Sequence, residues 1–227
     1  MLAEVMIENA TELRMVQNLG AHSVLLARQV VKGGISPDLK TLDEIREASR
    51  IPFTVLVRPD ELGQQYENER KNKLLGHLRA YRQAGIEGVA LGVREEDFVD
   101  VFFLEDILSF GFKITFYGFN GLKSLPQMLK MLNMYPRVCR IITRGNQASS
   151  WEGRTTIREL AEMARPGLEV FAEGVGLHPN NLAEFVQHSG AHGLLWGSTV
   201  RDASERLDLV LLEQLIDIMV HKTSRRF

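Results

Sequence analysis

The chain has 227 residues, a quarter of them charged, and a net charge of −2 at neutral pH. That balance gives no global basic field of the kind that holds nucleic acid or an anionic membrane, so neither is expected as a partner. The single cysteine, Cys139, cannot form an internal disulfide; its place in an apolar run marks it as a small core residue and favours a reducing, cytoplasmic location.

Met1–Glu8 carries acids and lacks the basic start and long apolar core of a signal peptide, and no apolar run reaches membrane-spanning length. Leu2–Ile7 predicts a first strand. Similar runs of aliphatic and aromatic residues predict seven more at Ser23–Ala27, Phe53–Val57, Gly88–Val93, Lys113–Tyr117, Arg140–Thr143, Leu168–Ala172 and Gly193–Trp196. They lack strict alternation, as strands covered on both faces do. Amphipathic patterns predict helices at Ala10–Leu19, Leu39–Ser49, Glu67–Ala84, Val99–Phe110, Ser124–Met134, Thr155–Ala164, Pro179–Gln187 and Leu207–Val220. Asn9, Ser124 and Asn180 are N-cap-type residues, and Gly20, Gly85, Gly111 and Gly190 stand where helices stop. The stops Leu19-Gly20-Ala21, Ala84-Gly85-Ile86 and Ser189-Gly190-Ala191 share one helix-to-strand turn, which marks a structural repeat. Eight strand–helix units in this order predict an α/β fold, a (β/α)8 TIM barrel in one domain over residues 1–227. The site of such a barrel is built at the C-terminal ends of its strands.

Two connections are longer than the others, Arg28–Asp38 with Gly33-Gly34 and Arg58–Tyr66 with Pro59 and Gly63. Both follow strands and so belong to the rim that carries function. The basic end His221–Phe227 is expected to fray.

At or just past the strand ends stand Glu8, Arg28, Arg58, Arg94, Tyr117, Arg144, Glu173 and Ser198. Four arginine forks around one mouth fit a small anionic ligand, a carboxylate or a phosphate. They fit equally a set of surface pairs with Asp60, Glu95, Glu96 or Glu173. The loops Glu173-Gly174-Val175-Gly176 and Trp196-Gly197-Ser198-Thr199 let backbone amides approach an anion, which gives Gly174, Gly176, Gly197 and Ser198 a binding role. The same glycines also serve simply to turn the chain. Glu173 is the candidate general acid or base, with Glu8 second; the alternative is that each neutralises an arginine. Ser198 has no neighbouring histidine and no nucleophile-elbow pattern, which argues against a hydrolase. No metal site is read from the residues. Among six histidines only His188 and His192 are four apart, and Gly190 interrupts the helix they would need. Met128, Met131 and Met134 share a helical spacing suited to packing.

Gly33-Gly34-Ile35-Ser36-Pro37, followed by Ile51-Pro52-Phe53-Thr54-Val55-Leu56-Val57-Arg58-Pro59, resembles two motifs of the CutC family of copper homeostasis proteins. Ala84–Val93 and Arg140-Ile141-Ile142-Thr143-Arg144-Gly145 are similar to two more, so the resemblance covers most of the chain. It implies a (β/α)8 barrel, a role in copper homeostasis with copper as the associated metal, and a homodimer. Where the family has E-V-C and E-L-C strands, this chain has Glu4-Val5-Met6 and Leu25-Leu26-Ala27. The family histidine before its V-M-I-R-P is Thr54 here, its T-F-H-R-A-F-D reads Thr115–Gly121, and its P-G-G-G-V turn reads Ala172–Gly176. Cu(I) prefers thiolate and thioether ligands, so Cys139 and Met6 alone make a poor tight site. Three readings stay open: a copper homeostasis protein, a barrel enzyme for a small anionic metabolite, or a barrel kept as a binding or scaffold protein.

Overall fold

The structure, a computed structural model, describes residues 1–61 and 64–223, with side chains to residue 220. The expectations placed on Gly63 and on the end of the His221–Phe227 stretch fall outside it. Eight strands form the barrel: β1 (Leu2–Ile7), β2 (Ser23–Leu26), β3 (Phe53–Leu56), β4 (Gly88–Leu91), β5 (Lys113–Tyr117), β6 (Val138–Thr143), β7 (Glu169–Glu173) and β8 (Gly193–Trp196). The helices between and after them are α1 (Ala10–Asn18), α2 (Leu39–Ala48), α3 (Asn68–Gln83), α4 (Val101–Leu108), α5 (Leu125–Leu132), α6 (Arg154–Met163), α7 (Pro179–His188) and α8 (Leu209–Thr223). Every barrel ladder is parallel, and the cylinder closes where β1 pairs with β8, from Leu2↔Gly193 to Val5↔Trp196. No helix among the described residues is long and apolar enough to cross a membrane.

Two apolar clusters explain the absence of alternation in the strands. Outward residues such as Val5, Val24, Val55, Val89, Ile114, Ile141, Val170 and Leu194 pack with Leu13, Ile45, Leu78 and Leu212 of the helices. Inward residues Met6, Leu25, Leu56, Ala90, Ile142, Phe171 and Leu195 pack together inside the barrel. Both faces are covered, so both are apolar. Near the N-terminal strand ends the interior turns ionic, with Arg140 of β6 between Glu4 of β1 and Glu169 of β7.

Four details differ from the sequence reading. After Leu91 the chain leaves the barrel for a two-rung antiparallel hairpin, Arg94–Glu95 with Phe98–Val99, and this delays α4. Ser124 has φ 52° and no side-chain capping bond, while α7 starts from His178, whose backbone N–H donates to Asn181 Oδ1; Asn180 lies within that helix. Met134 is 76% exposed, although Met128 and Met131 do pack on the core. Cys139 is half-buried instead of lying in the core.

Candidate functional site

Asn120, three residues past β5, organises the mouth. Its Oδ1 accepts the Thr143 hydroxyl at 3.0 Å and the Arg144 backbone N–H at 2.6 Å, while its Nδ2 donates to Glu173 Oε1 at 2.7 Å. The other Glu173 oxygen lies 3.3 Å from Arg144 Nε, and the Ser150 hydroxyl donates to the Glu173 carbonyl at 2.6 Å. Burial pushes the Glu173 carboxyl above the usual carboxylate range, and this outweighs the opposing pull of Arg144 and Asn120. Tyr117 is pushed up to about 12, chiefly by burial and then by the charge of Glu173. It therefore remains a neutral phenol able to donate a proton in a hydrogen bond.

Tyr117, Glu173, Gly174, Gly197, Ser198 and Thr199 border one cavity of about 60 Å³, together with Met6, Val30 and Gly33. The backbone N–H groups of Ser198 and Thr199, which begin a short 3-10 turn over Ser198–Val200, have no hydrogen-bond acceptor among the described residues. Thr199 Oγ1 is also buried without a partner. Such donors suit an oxygen-rich group, and the cavity has room for the end of a molecule only. Beyond the cavity lining, Gln64 Nε2 donates to the Tyr117 carbonyl at 2.9 Å. A Cβ on Gly92 would lie 2.1 Å from that carbonyl oxygen and 2.4 Å from Gln64 Oε1, so only glycine fits there.

The structure brings Tyr117, Glu173, Gly174, Gly197 and Ser198 together and sets Arg144 on Glu173. It brings none of the four arginines to the cavity lining itself. Arg58 donates from Nη1 to the Gly33 and Gly34 carbonyls, at 3.2 and 3.1 Å, and from Nη2 to the Glu61 carbonyl at 2.8 Å. Arg94 holds the carbonyls of Asn120 and Gly121, at 3.4 and 2.7 Å, and also lies 3.9 Å from the rim acid Asp97. Arg28 is exposed and donates from Nε to the Ser36 carbonyl at 3.0 Å. These three brace rim loops through main-chain carbonyls, an option that the choice between anion and rim acid left out. Glu8 accepts the Val30 N–H at 2.6 Å, which ties it to a turn. Gly176 has φ +75° and packs against Ser149 beside the cavity. Sequence reasoning missed Asn120 and Thr199; a polar residue shortly after a strand end was the available signal.

The two positions where the resemblance implies thiols do converge. A methyl group placed on Gly34 would sit 3.1 Å from Met6 Cε and 3.2 Å from Ala27 Cβ. The donor set there is one thioether beside a methyl, and no group of three or more His, Cys, Asp or Glu residues capable of holding a metal occurs among the described residues. Cu(I), which selects soft sulfur ligands, does not fit these residues.

The CutC family model matches residues 1–199. Proteins named as CutC family proteins are similar over most of their length. The one from Pasteurella multocida is 26% identical over 199 residues, covering 84% of this chain and 79% of its own. That from Histophilus somni is 27% identical over 207 residues, covering 88% and 84%. Among solved structures, a candidate copper homeostasis protein CutC from Streptococcus agalactiae superposes with a TM-score of 0.77 at 20% identity, covering 86% of this chain and 97% of that one. A monomeric form of phosphoribosylanthranilate isomerase from Thermotoga maritima gives 0.63 at 13% identity, covering 96% and 97%. At those identities the two structures establish the shared barrel alone.

Proposed function

Since this chain belongs to the CutC family, we propose that it is a cytoplasmic copper homeostasis protein that carries no Cu(I) in its own mouth and instead receives there the carboxylate or phosphate end of a small metabolite. The copper homeostasis role rests on the family and on the description of the Streptococcus agalactiae protein. The anion reading rests on one observation: Glu173, paired with Arg144, lines a small cavity in the mouth at which the Ser198 and Thr199 amides lack partners.

In this reading Arg144, whose Nη1 holds the Ala148 carbonyl at 3.2 Å, offers Nη2 to the ligand and the unpartnered amides fix the oxygens. Glu173, held by Asn120 at one oxygen and already above the usual carboxylate range, is suited to hold or move a proton there. Tyr117 donates as a phenol. The homodimer implied by the resemblance is part of the proposal and is read by sedimentation velocity.

Titration of the purified chain with inorganic phosphate and with acetate, followed by backbone amide NMR, tests the mouth. Saturable shifts at Gly174, Ser198 and Thr199 are expected, with affinity lowered about tenfold or more by Arg144→Ala, as loss of a charged hydrogen bond implies. Absence of saturation with both anions, or an Arg144→Ala chain that binds as well as the parent, would overturn the anion reading.

A further inference from the structure

A cavity larger than the one in the mouth lies at the other end of the barrel. At the N-terminal ends of β3 to β7 it has a volume of about 470 Å³, within the range of roughly 300 to 1,000 Å³ common for small-molecule pockets. Its origin is in the inward positions at this level. β3, β4 and β5 supply Thr54, Gly88 and Thr115, which are too small to fill the interior, while β6 and β7 supply Arg140 and Glu169. A bulge shapes the wall: Ile114 pairs with Val138 and Thr115 with Arg140, so Cys139 is left over in the ladder. Bulges of this kind re-aim the side chains beside them, and here Arg140 points inward.

Arg140 donates from Nη1 to Glu4 Oε1 at 2.8 Å, and from Nε and Nη2 to Glu169 Oε2 at 3.0 and 2.8 Å. Its guanidinium lies 3.8 Å from the centre of the Phe171 ring. Two carboxylates thus share one guanidinium, which leaves a net negative charge. The cations at the rim are already paired, Lys113 with Glu87 at 3.7 Å and Arg46 with Asp43 at 2.9 Å. Acceptors remain: Glu169 Oε1 and the hydroxyls of Thr54 and Thr115 take no hydrogen bond among the described residues, and Thr115 is only 7% exposed. With Lys113 and Arg46 held by Glu87 and Asp43, the excess negative charge belongs to the Glu4–Arg140–Glu169 group, and its unfilled acceptors favour a cationic donor. An anion would meet net repulsion, and an apolar molecule would leave the hydroxyls unpaired.

We propose that this cavity is a second ligand site, for a small aliphatic amine whose ammonium rests on Glu169. It stands apart from the mouth and does not depend on the anion reading.

The probe is 1,4-diaminobutane, with uncharged 1,4-butanediol of the same length as comparison, each titrated into the intact chain and followed by backbone amide NMR. Saturable shifts centred on Thr115, Cys139 and Arg140 are expected for the diamine, with the diol about tenfold weaker or worse for want of the charged bond. Glu169→Gln should weaken the diamine similarly. Gly88→Val should abolish binding by filling the space; a Cβ there meets Thr54 Oγ1 at an ordinary 3.7 Å, and Gly88→Ala, which adds that Cβ alone, serves as the folded control that should bind more weakly than the parent. Shifts that fail to saturate or map to the mouth, a diol that binds as well as the diamine, or unchanged affinity in folded Gly88→Val would overturn the site.

Discussion

Arg201, in the loop after β8, and Glu12, in the first turn of α1, form a two-pronged ion pair across the seam where the first and last strands meet. Nη1 lies 2.8 Å from Oε1 and Nη2 lies 2.8 Å from Oε2. The Arg201 side chain is 2% exposed and also donates to the Met6 carbonyl at 3.2 Å, while Glu12 Oε2 accepts the Glu8 N–H at 2.9 Å. One pair therefore ties the end of β1 to the loop that borders the mouth. Removing one partner leaves a buried charge, so Glu12→Gln should lower unfolding free energy by about 3 to 5 kcal/mol. Arg201→Met combined with Glu12→Leu should recover part of that loss, because neither charge is then stranded. Urea denaturation monitored by tryptophan fluorescence measures both.

Met6 and Ala27 flank Gly34 at the floor of the mouth, where sulfur would be needed to hold Cu(I). The parent chain should show no stoichiometric Cu(I) binding in competition with a chromophoric chelator. Met6→Cys with Ala27→Cys should gain one tight equivalent, because two thiolates would then face one point. Tight binding by the parent would show that soft ligands other than these positions suffice.

How much of this could be read beforehand follows from which force sets each feature. Strand runs such as Leu2–Ile7 and helix stops such as Gly20, with φ +86°, were legible because burial and backbone sterics act locally. The clustering of Tyr117, Glu173, Gly174, Gly197 and Ser198 followed from strand order alone. The roles of Arg28, Arg58 and Arg94 did not, because the main-chain carbonyls they hold belong to loop paths that side-chain patterns do not encode. Glu4, Arg140 and Glu169 were hidden for another reason. Glu4 and Arg140 are single charges in apolar strands and Glu169 stands at the start of another, and only barrel closure, which joins residues 4 and 140, shows that they pair.

The raised Glu173 carboxyl makes stability depend on pH in a stated direction. The folded chain holds this proton more tightly than the unfolded chain does, so the contribution is complete below the ordinary glutamate value and is lost as pH rises through the raised one. Glu173→Gln keeps an oxygen for Asn120 Nδ2 but cannot ionise. Thermal melts between about pH 4 and pH 8 should show the parent gaining on the variant toward acid and losing ground toward neutral pH. A difference in melting temperature that is flat across that interval, or that runs the other way, would contradict the burial argument.

Gly153, at the start of α6, sets the main chain that carries Arg144. A Cβ there would lie 1.8 Å from the Arg144 carbonyl oxygen, and the adjoining Gly145 is held at φ +68°. Neither neighbour is the yielding end of a side chain, so Gly153→Ala must displace Arg144 itself. Destabilisation of about 3 kcal/mol is expected, with weaker phosphate binding at the mouth as Arg144 moves off Glu173. Gly76, in the middle of α3, gives the opposite case, since a Cβ there meets nothing within 4 Å. Gly76→Ala should stabilise by roughly 0.5 to 1 kcal/mol through helix propensity alone and leave phosphate affinity untouched. Chemical denaturation of the two variants with phosphate titrations on each separates the positions: if Gly153→Ala proves as benign as Gly76→Ala, the close contact between Gly153 and Arg144 does not position the mouth.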